Sequence, residues 1–345
     1  MKAVHSVSDL VAAGLMTAEA GKAVETVAER YAVALTPYLR DQLQGRTPDD
    51  PLYAQYVPSP AEAYATPEEL ADPIGDVARS PVKGIVHRYP DRVLLKPLHA
   101  CAVYCRFCFR REMVGPGGEA LSGDELDAAL TYIRDNPSVW EVVVTGGDPF
   151  LLSPRRLRTI TQALSAMPQV GVVRLHTRIP AADPGRVTDE LIAALTAPDL
   201  ATWVAVHINH ADELTAEVRA ALARLVEAGI PLLGQTVLLK GVNDNPAALE
   251  ALFRGLVRNR VKPYYLHHPD LAAGTSHFRG TLAEGQALVK SLRGRVSGLC
   301  QPTYVLDIPG GHGKAPAAPA WIQETDEAGV YSVTDFTGQT HRYRG

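Results

Sequence analysis

The chain has 345 residues, 46% of them hydrophobic, and a formal net charge of −4. That is enough apolar material for a large core, and it excludes the basic footprint of a nucleic-acid binder. No apolar run reaches the roughly 18 to 20 residues of a membrane span, and four cysteines with three clustered do not make a disulfide framework. A soluble, cytoplasmic protein with reduced thiols is expected.

In chain order, residues 1–80 comprise a helical pattern rich in Ala, Glu and Leu and the linker that ends it. The opening "MKAVHSVSDLVAAGLMTAEAGKAVE" reads as helix and not as a signal peptide, because early acidic residues interrupt its apolar pattern. Over residues 81–298 short β-branched runs ("RVLLKP", "WEVVVTGG", "GVVRLHT", "TWVAVHI", "LLGQTVLL", "PYYLHH") alternate with helical patterns such as "GDELDAALTYIRDN" and "TAEVRAALARLVEAGI". Strand and helix at this spacing predict right-handed βα units and a parallel sheet. Six such units predict a partial, TIM-like (β/α)6 barrel, with chemistry at the C-terminal ends of the strands. "TGGD" follows the second strand, His176 the third and His207 the fourth; Gln235 lies within the fifth, and His267 to Asp270 follow the sixth. Residues 299–345 form a C-terminal extension whose tail, "GVYSVTDFTGQTHRYRG", alternates about a Thr-Gly turn and predicts a hairpin.

"HACAVYCRFCFRREM" places Cys101, Cys105 and Cys108 in one loop after the first strand, spaced C-x3-C-x2-C. A structural zinc site wants four ligands, commonly in two CxxC-like pairs, and here there is no second knuckle. His99 as a fourth ligand would strain the site. Three buried structural cysteines are the plain alternative. Three thiolates holding three irons of a 4Fe-4S cluster, with the fourth iron open, fit the spacing better.

This motif at the mouth of a parallel barrel resembles the radical S-adenosylmethionine superfamily, in which the open iron binds S-adenosylmethionine and its cleavage yields a deoxyadenosyl radical. The resemblance assigns Gly146, Gly147 and Asp148 of "TGGD", with His207 and Gln235, to S-adenosylmethionine. Glycines there would let the backbone approach the ligand closely.

"SPVKGIVHRYPDRVLL", "CRFCFRR", "HINHADELT", "QTVLLKGVNDN", "RVKPYYLHHPDLAAGTSHFR" and "LDIPGGHGKAPAAP" resemble the lysine 2,3-aminomutase family from about residue 48 to the C-terminus. The resemblance implies pyridoxal phosphate as a further cofactor, with Lys314 of "PGGHGKAP" as its aldimine lysine and Arg88 and Arg92 lining its pocket. It implies that Arg110 pairs with the substrate carboxylate and that Asp270 and Asp307 hold the side-chain ammonium of lysine. A buried ammonium needs compensating carboxylates, so the acidic pair points to a cationic substrate. A mobile, Gly-rich segment around Lys314 suits an amine that the substrate must displace. An isomerase is therefore expected, with a flavodoxin- or ferredoxin-type electron donor as partner.

The zinc-binding C-terminal cysteines of the best-known free-lysine enzymes have no counterpart after Cys300, which leaves homo-oligomer formation open. Supply of β-lysine for elongation factor P modification, action on another amino acid, and a noncatalytic iron–sulfur redox module are the alternative readings.

Overall fold

The computed structural model describes residues 2–345. Its centre is a nine-stranded sheet whose spatial order follows the chain. β1 (Ile85–Tyr89) turns back antiparallel onto β2 (Arg92–Leu98). Then β3 (Glu141–Gly146), β4 (Val172–Thr177), β5 (Ala201–His207), β6 (Leu232–Val237), β7 (Val261–His267) and β8 (Thr303–Ile308) follow, each parallel to its predecessor. β9 (Gly313–Pro316) closes the series antiparallel to β8. The six expected strands are β2 to β7, and the partial barrel is borne out. It has one more parallel strand than the six read from sequence, β8, and an antiparallel strand on each edge.

The strands read as near-continuous β-branched runs because helices cover their outer faces. Val142, Val144, Val173, Leu175, Val204 and Val206 all lie in one core with Leu126, Leu130, Leu157, Leu222 and Leu252 of the helices. Helix starts are fixed locally: Ser122, Ser153, Thr215, Asn245 and Thr281 each cap a following helix by accepting a backbone N–H. β1 and β9 are not hydrogen-bonded as a ladder, so the barrel keeps a seam. Across it the Lys314 backbone N–H donates to the Tyr89 hydroxyl at 2.7 Å.

Short N-terminal helices, among them Val7–Ala12, Pro37–Gln42 and Pro51–Ala54, form a second core in which Leu10, Leu35, Leu39, Leu43, Leu52 and Tyr56 bury Val103 of the cysteine loop. Backbone bonds tie the two together, from Tyr104 N–H to Ala34 O (3.0 Å) and from Arg106 N–H to Gln55 O (2.9 Å). The N-terminal region is thus the floor on which the cysteine loop lies. At the other end, the expected hairpin is β11 (Val330–Thr334) with β12 (Thr340–Arg344), and β10 (Ile322–Glu324) adds a third strand.

Candidate active site at the C-terminal ends of the strands

The three arginines around the cysteines have separate fates. Arg106 forks onto the Glu62 carboxylate, its Nε 2.9 and 3.0 Å from the two oxygens, and Arg111 Nη2 bonds the same carboxylate. Arg111 also donates to Gly274 O at 2.8 Å. All three side chains are essentially inaccessible, so this is a buried charged knot beneath the loop. Arg110 instead turns toward the barrel.

Cys101, Cys105 and Cys108 are free thiols on this support. Burial pushes all three thiols up, Cys105 to about 12, with the nearby Arg178 guanidinium only partly opposing it. Such thiols ionise when a cation takes the proton's place. Among the described residues no three His, Cys, Asp or Glu side chains converge on a single-ion position. A four-iron cluster would take the three thiolates on three separate irons.

The "TGGD" turn packs on this loop. Gly147 N–H donates to Leu98 O at 2.8 Å and Asp148 N–H to Ala100 O at 2.9 Å. A Cβ on Gly147 would stand 2.1 Å from Ala100 O, so the glycine admits the protein's own backbone. Gly146 takes φ +102, a region glycine adopts without strain. Asp148 accepts from Thr177 Oγ1 (2.7 Å) and from the backbone N–H groups of Phe150, Arg178 and Ile179. These three residues join β2, β3 and β4 at the strand ends. His207 is half-buried at the end of β5, its Nε2 3.1 Å from Asn209 Oδ1 and its ring 5.4 Å from that of Phe107 between the cysteines. Desolvation keeps it well below the ordinary histidine range.

Asp76, from the linker, is wholly buried beneath three cations. It accepts from Arg110 Nε at 2.9 Å and Arg88 Nη2 at 3.3 Å, and Lys96 Nζ stands 3.7 Å away. Burial works against its ionisation, but Arg110, Lys96 and Arg88 outweigh it and hold the carboxyl below its usual range. Three cations around one carboxylate leave an excess of two positive charges. Arg88 Nε is buried with no hydrogen-bond partner. A pocket so charged suits anionic groups such as a phosphate or a carboxylate. Arg92 sits apart, paired with Asp91 at 2.7 Å and stacked 3.8 Å from the Tyr89 ring centroid; it approaches Lys314 only through Tyr89.

Lys314 lies in β9, directly opposite Asp307 of β8 in the ladder. Its Nζ donates to Asp307 Oδ1 at 2.5 Å. The Gly-rich stretch does not carry Lys314 as a loose loop; Gly310, Gly311 and Gly313, at φ +80, +81 and +94, make the turn that returns the chain as β9. A Cβ on Gly75 would meet Gly310 C and Gly311 N at 2.6 Å, so the Asp76 linker is pressed against this turn. His267 Nδ1 lies 3.4 Å from Asp307 Oδ2, and Gln235 Nε2 lies 3.3 Å from His267 Nε2. Burial would raise the Asp307 carboxyl, but the His267 hydrogen bond and the Lys314 charge hold it down at about 2. Asp270 behaves oppositely: burial, then the neighbouring Asp307 charge, raise it to about 7.

Cys101, Cys105, Cys108, Arg110, His207, Gln235, Asp270, Asp307, Lys314 and Arg88 therefore share one end of the barrel. Sequence reasoning missed Glu62, Asp76, Lys96 and the bridging role of His267. Only Lys96 left a signal, as a charge inside the apolar run "RVLLKP". The donor set fits the groups the resemblance implies: three thiols on one loop for a cluster, and a primary amine beside a cationic pocket for a phosphorylated aldehyde.

The barrel, the cysteine loop and the surrounding strand ends define a radical S-adenosylmethionine enzyme; residues 95–252 match the family model described as the radical SAM superfamily. The chain is 39% identical over 307 residues to L-lysine 2,3-aminomutase of Acetoanaerobium sticklandii, covering 89% of this chain and 74% of that one. It is 38% identical to L-lysine 2,3-aminomutase of Clostridium subterminale over the same shares. It is 34% identical to glutamate 2,3-aminomutase of Clostridioides difficile, covering 87% of this chain and 70% of that one. The chain belongs to the lysine 2,3-aminomutase family. That family implies a 4Fe-4S cluster, S-adenosylmethionine and pyridoxal phosphate. Among the described residues no helix is long and apolar enough to cross a membrane.

Proposed function

We propose that the protein interconverts L-lysine and β-lysine by moving the amino group between carbons 2 and 3. One observation carries the choice of lysine: Asp270 and Asp307 share the pocket that holds Lys314, with the Arg110 charge acting on the same pocket. A substrate with a carboxylate at one end and an ammonium at the other matches Arg110 and the acidic pair. Glutamate would set a carboxylate against two carboxylates, at a cost that burial enlarges.

In this reading Cys101, Cys105 and Cys108 hold the cluster. His207 and Gln235 border S-adenosylmethionine, while Gly146, Gly147 and Asp148 hold the wall on which it rests. When bound, the cluster and S-adenosylmethionine would supply a carbon-centred radical for hydrogen abstraction, and pyridoxal phosphate would supply a carbonyl able to carry an amino group. The protein's part is to place and to shield. Arg88 and Lys96 offer positive charge to the phosphate or phenolate, with Arg92 contributing through Tyr89. Lys314 holds the cofactor and yields it to the substrate amine. Arg110 presents its terminal nitrogens to the substrate carboxylate, its Nε already fixed by Asp76. The working divisions are residues 1–80 as loop support, 81–298 as barrel and 299–345 as the segment that brings Lys314 and Asp307. A cytoplasmic location, a small iron–sulfur or flavin protein as electron donor and assembly with further copies of the chain accompany this reading.

The test is anaerobic reconstitution with iron, sulfide, S-adenosylmethionine and pyridoxal phosphate, followed by carbon-13 NMR of labelled lysine and, separately, labelled glutamate. β-Lysine should form and β-glutamate should not. Preference for glutamate, or no amino migration in protein with full cluster and cofactor content, overturns the reading.

A further inference from the structure

Asp307 has two oxygens and, as it stands, both are engaged. Oδ2 faces His267 Nδ1 at 3.4 Å and Oδ1 accepts from Lys314 Nζ at 2.5 Å. Gln235, whose amide N–H donates to His267 Nε2, leaves the ring proton on Nδ1, pointing at Asp307. One oxygen remains for one ammonium, and Lys314 has it. The ladder register enforces this, because Asp307 and Lys314 are direct partners across β8 and β9. Asp270, in the same pocket, accepts no hydrogen bond from the described residues.

We propose that Asp307 is a shared seat for two ammonium groups taken in turn: that of Lys314 before the carbonyl cofactor is bound, and the substrate's side-chain ammonium once Lys314 is engaged elsewhere. The proposal rests on the reading of Lys314 and of lysine given above. To bond the aldehyde, Lys314 must leave Asp307 and release a proton to solvent. The neutral Nζ then forms a C=N bond to the aldehyde carbon, and the aldehyde oxygen departs as water. Oδ1 is thereby vacated, in the place where a cationic side chain can use it. Loading is thus ordered: a seat occupied by Lys314 repels lysine until the cofactor has drawn Lys314 away.

A shared seat makes opposite demands on one substitution. In the cluster-loaded enzyme without lysine, Asp307→Asn removes the carboxylate that Lys314 Nζ must leave before it reaches the aldehyde. Addition of pyridoxal phosphate should then give the covalent adduct at Lys314 faster, on the order of tenfold at neutral pH, as expected for loss of one charge-assisted hydrogen bond. The KM for lysine should rise in the same protein. General damage would slow both. Adduct formation is followed by absorption, and borohydride trapping with peptide mapping identifies the lysine. Asp307→Ser, which keeps a hydroxyl for His267, serves if the Asn protein does not fold. Unchanged or slower adduct formation in a folded variant with normal iron content overturns the shared seat. Trapping at another lysine in the unaltered enzyme instead overturns the placement of Lys314 itself.

Discussion

Asp76 accepts the Nε–H of Arg110 at 2.9 Å while wholly buried. The bond consumes the one guanidinium nitrogen that points back along the side chain and leaves the terminal pair to face the pocket. It also fixes Arg110 against a linker that presses on the Gly310–Gly311 turn, so the predicted carboxylate-binding arginine and the segment bearing Lys314 are held by one short stretch of chain.

Asp76→Asn keeps the shape and removes the charge. Arg110, Arg88 and Lys96 then lose their common counter-ion. A hydrogen bond to a charged group contributes about 1.5–3 kcal/mol, so kcat/KM for lysine should fall roughly tenfold to a hundredfold. Iron content should hold, since the cysteine loop is fastened by Glu62 and the N-terminal backbone. An iron assay beside steady-state kinetics checks both; wild-type kinetics would remove Asp76 from the site.

Glu62→Gln should act on the support. Two buried arginines share that carboxylate, and breaking such a pairing costs about 3–5 kcal/mol. The thermal midpoint should drop by several degrees and cluster incorporation should become incomplete, measured by calorimetry and by iron per chain. Glu250→Gln is a fair comparison, because Glu250 meets Arg254 and Arg295 away from the cysteine loop and should leave iron content unchanged.

Cys105→Ala should abolish the cluster and all turnover. Cys300→Ala should leave iron content at its normal value, because Cys300 is buried in the core on the far side of β8's start and shares no loop with the other three. Visible absorption of the reconstituted proteins separates the two outcomes.

Much of this architecture is legible in the residues. The β-branched runs alternate with capped helical patterns, and the cysteines fall where a barrel puts its chemistry. β8 escaped notice because "TYVLDI" merges with the Gly-rich stretch behind it, which reads as a loop rather than as the turn between two strands. Asp76 and Glu62 escaped for another reason. Each is an ordinary acidic residue at a short turn, and its partners lie 12 to 49 positions away, at Arg88, Lys96 and Arg110 in one case and at Arg106 and Arg111 in the other. Periodicity carries no record of such pairings. In "TGGD" the sequence motif left unread a second duty of Gly147, where a Cβ would stand 2.1 Å from Ala100 O of the protein's own backbone.

The last prediction concerns pH. Asp270 titrates at about 7, raised by burial and by Asp307 and opposed by the charges of Lys314, Arg110 and Arg88. A carboxyl raised in the folded protein is protonated there at pH values where the unfolded chain has already ionised. Folded stability from this group is therefore full below the ordinary aspartate range and declines as pH rises toward 7. The unloaded wild-type protein should lose melting temperature relative to Asp270→Asn between about pH 4 and 7, with no further divergence above. Substrate binding has the opposite sign. An ammonium favours the ionised carboxylate, so lysine affinity should improve as pH rises to 7, by at most about tenfold per unit, and level off beyond. Binding at pH 6 should also expel a proton, which calorimetry in buffers of different ionisation enthalpy detects. Asp270→Asn should bind lysine weakly and without that pH dependence; a variant that retained the wild-type profile would move the titrating group elsewhere.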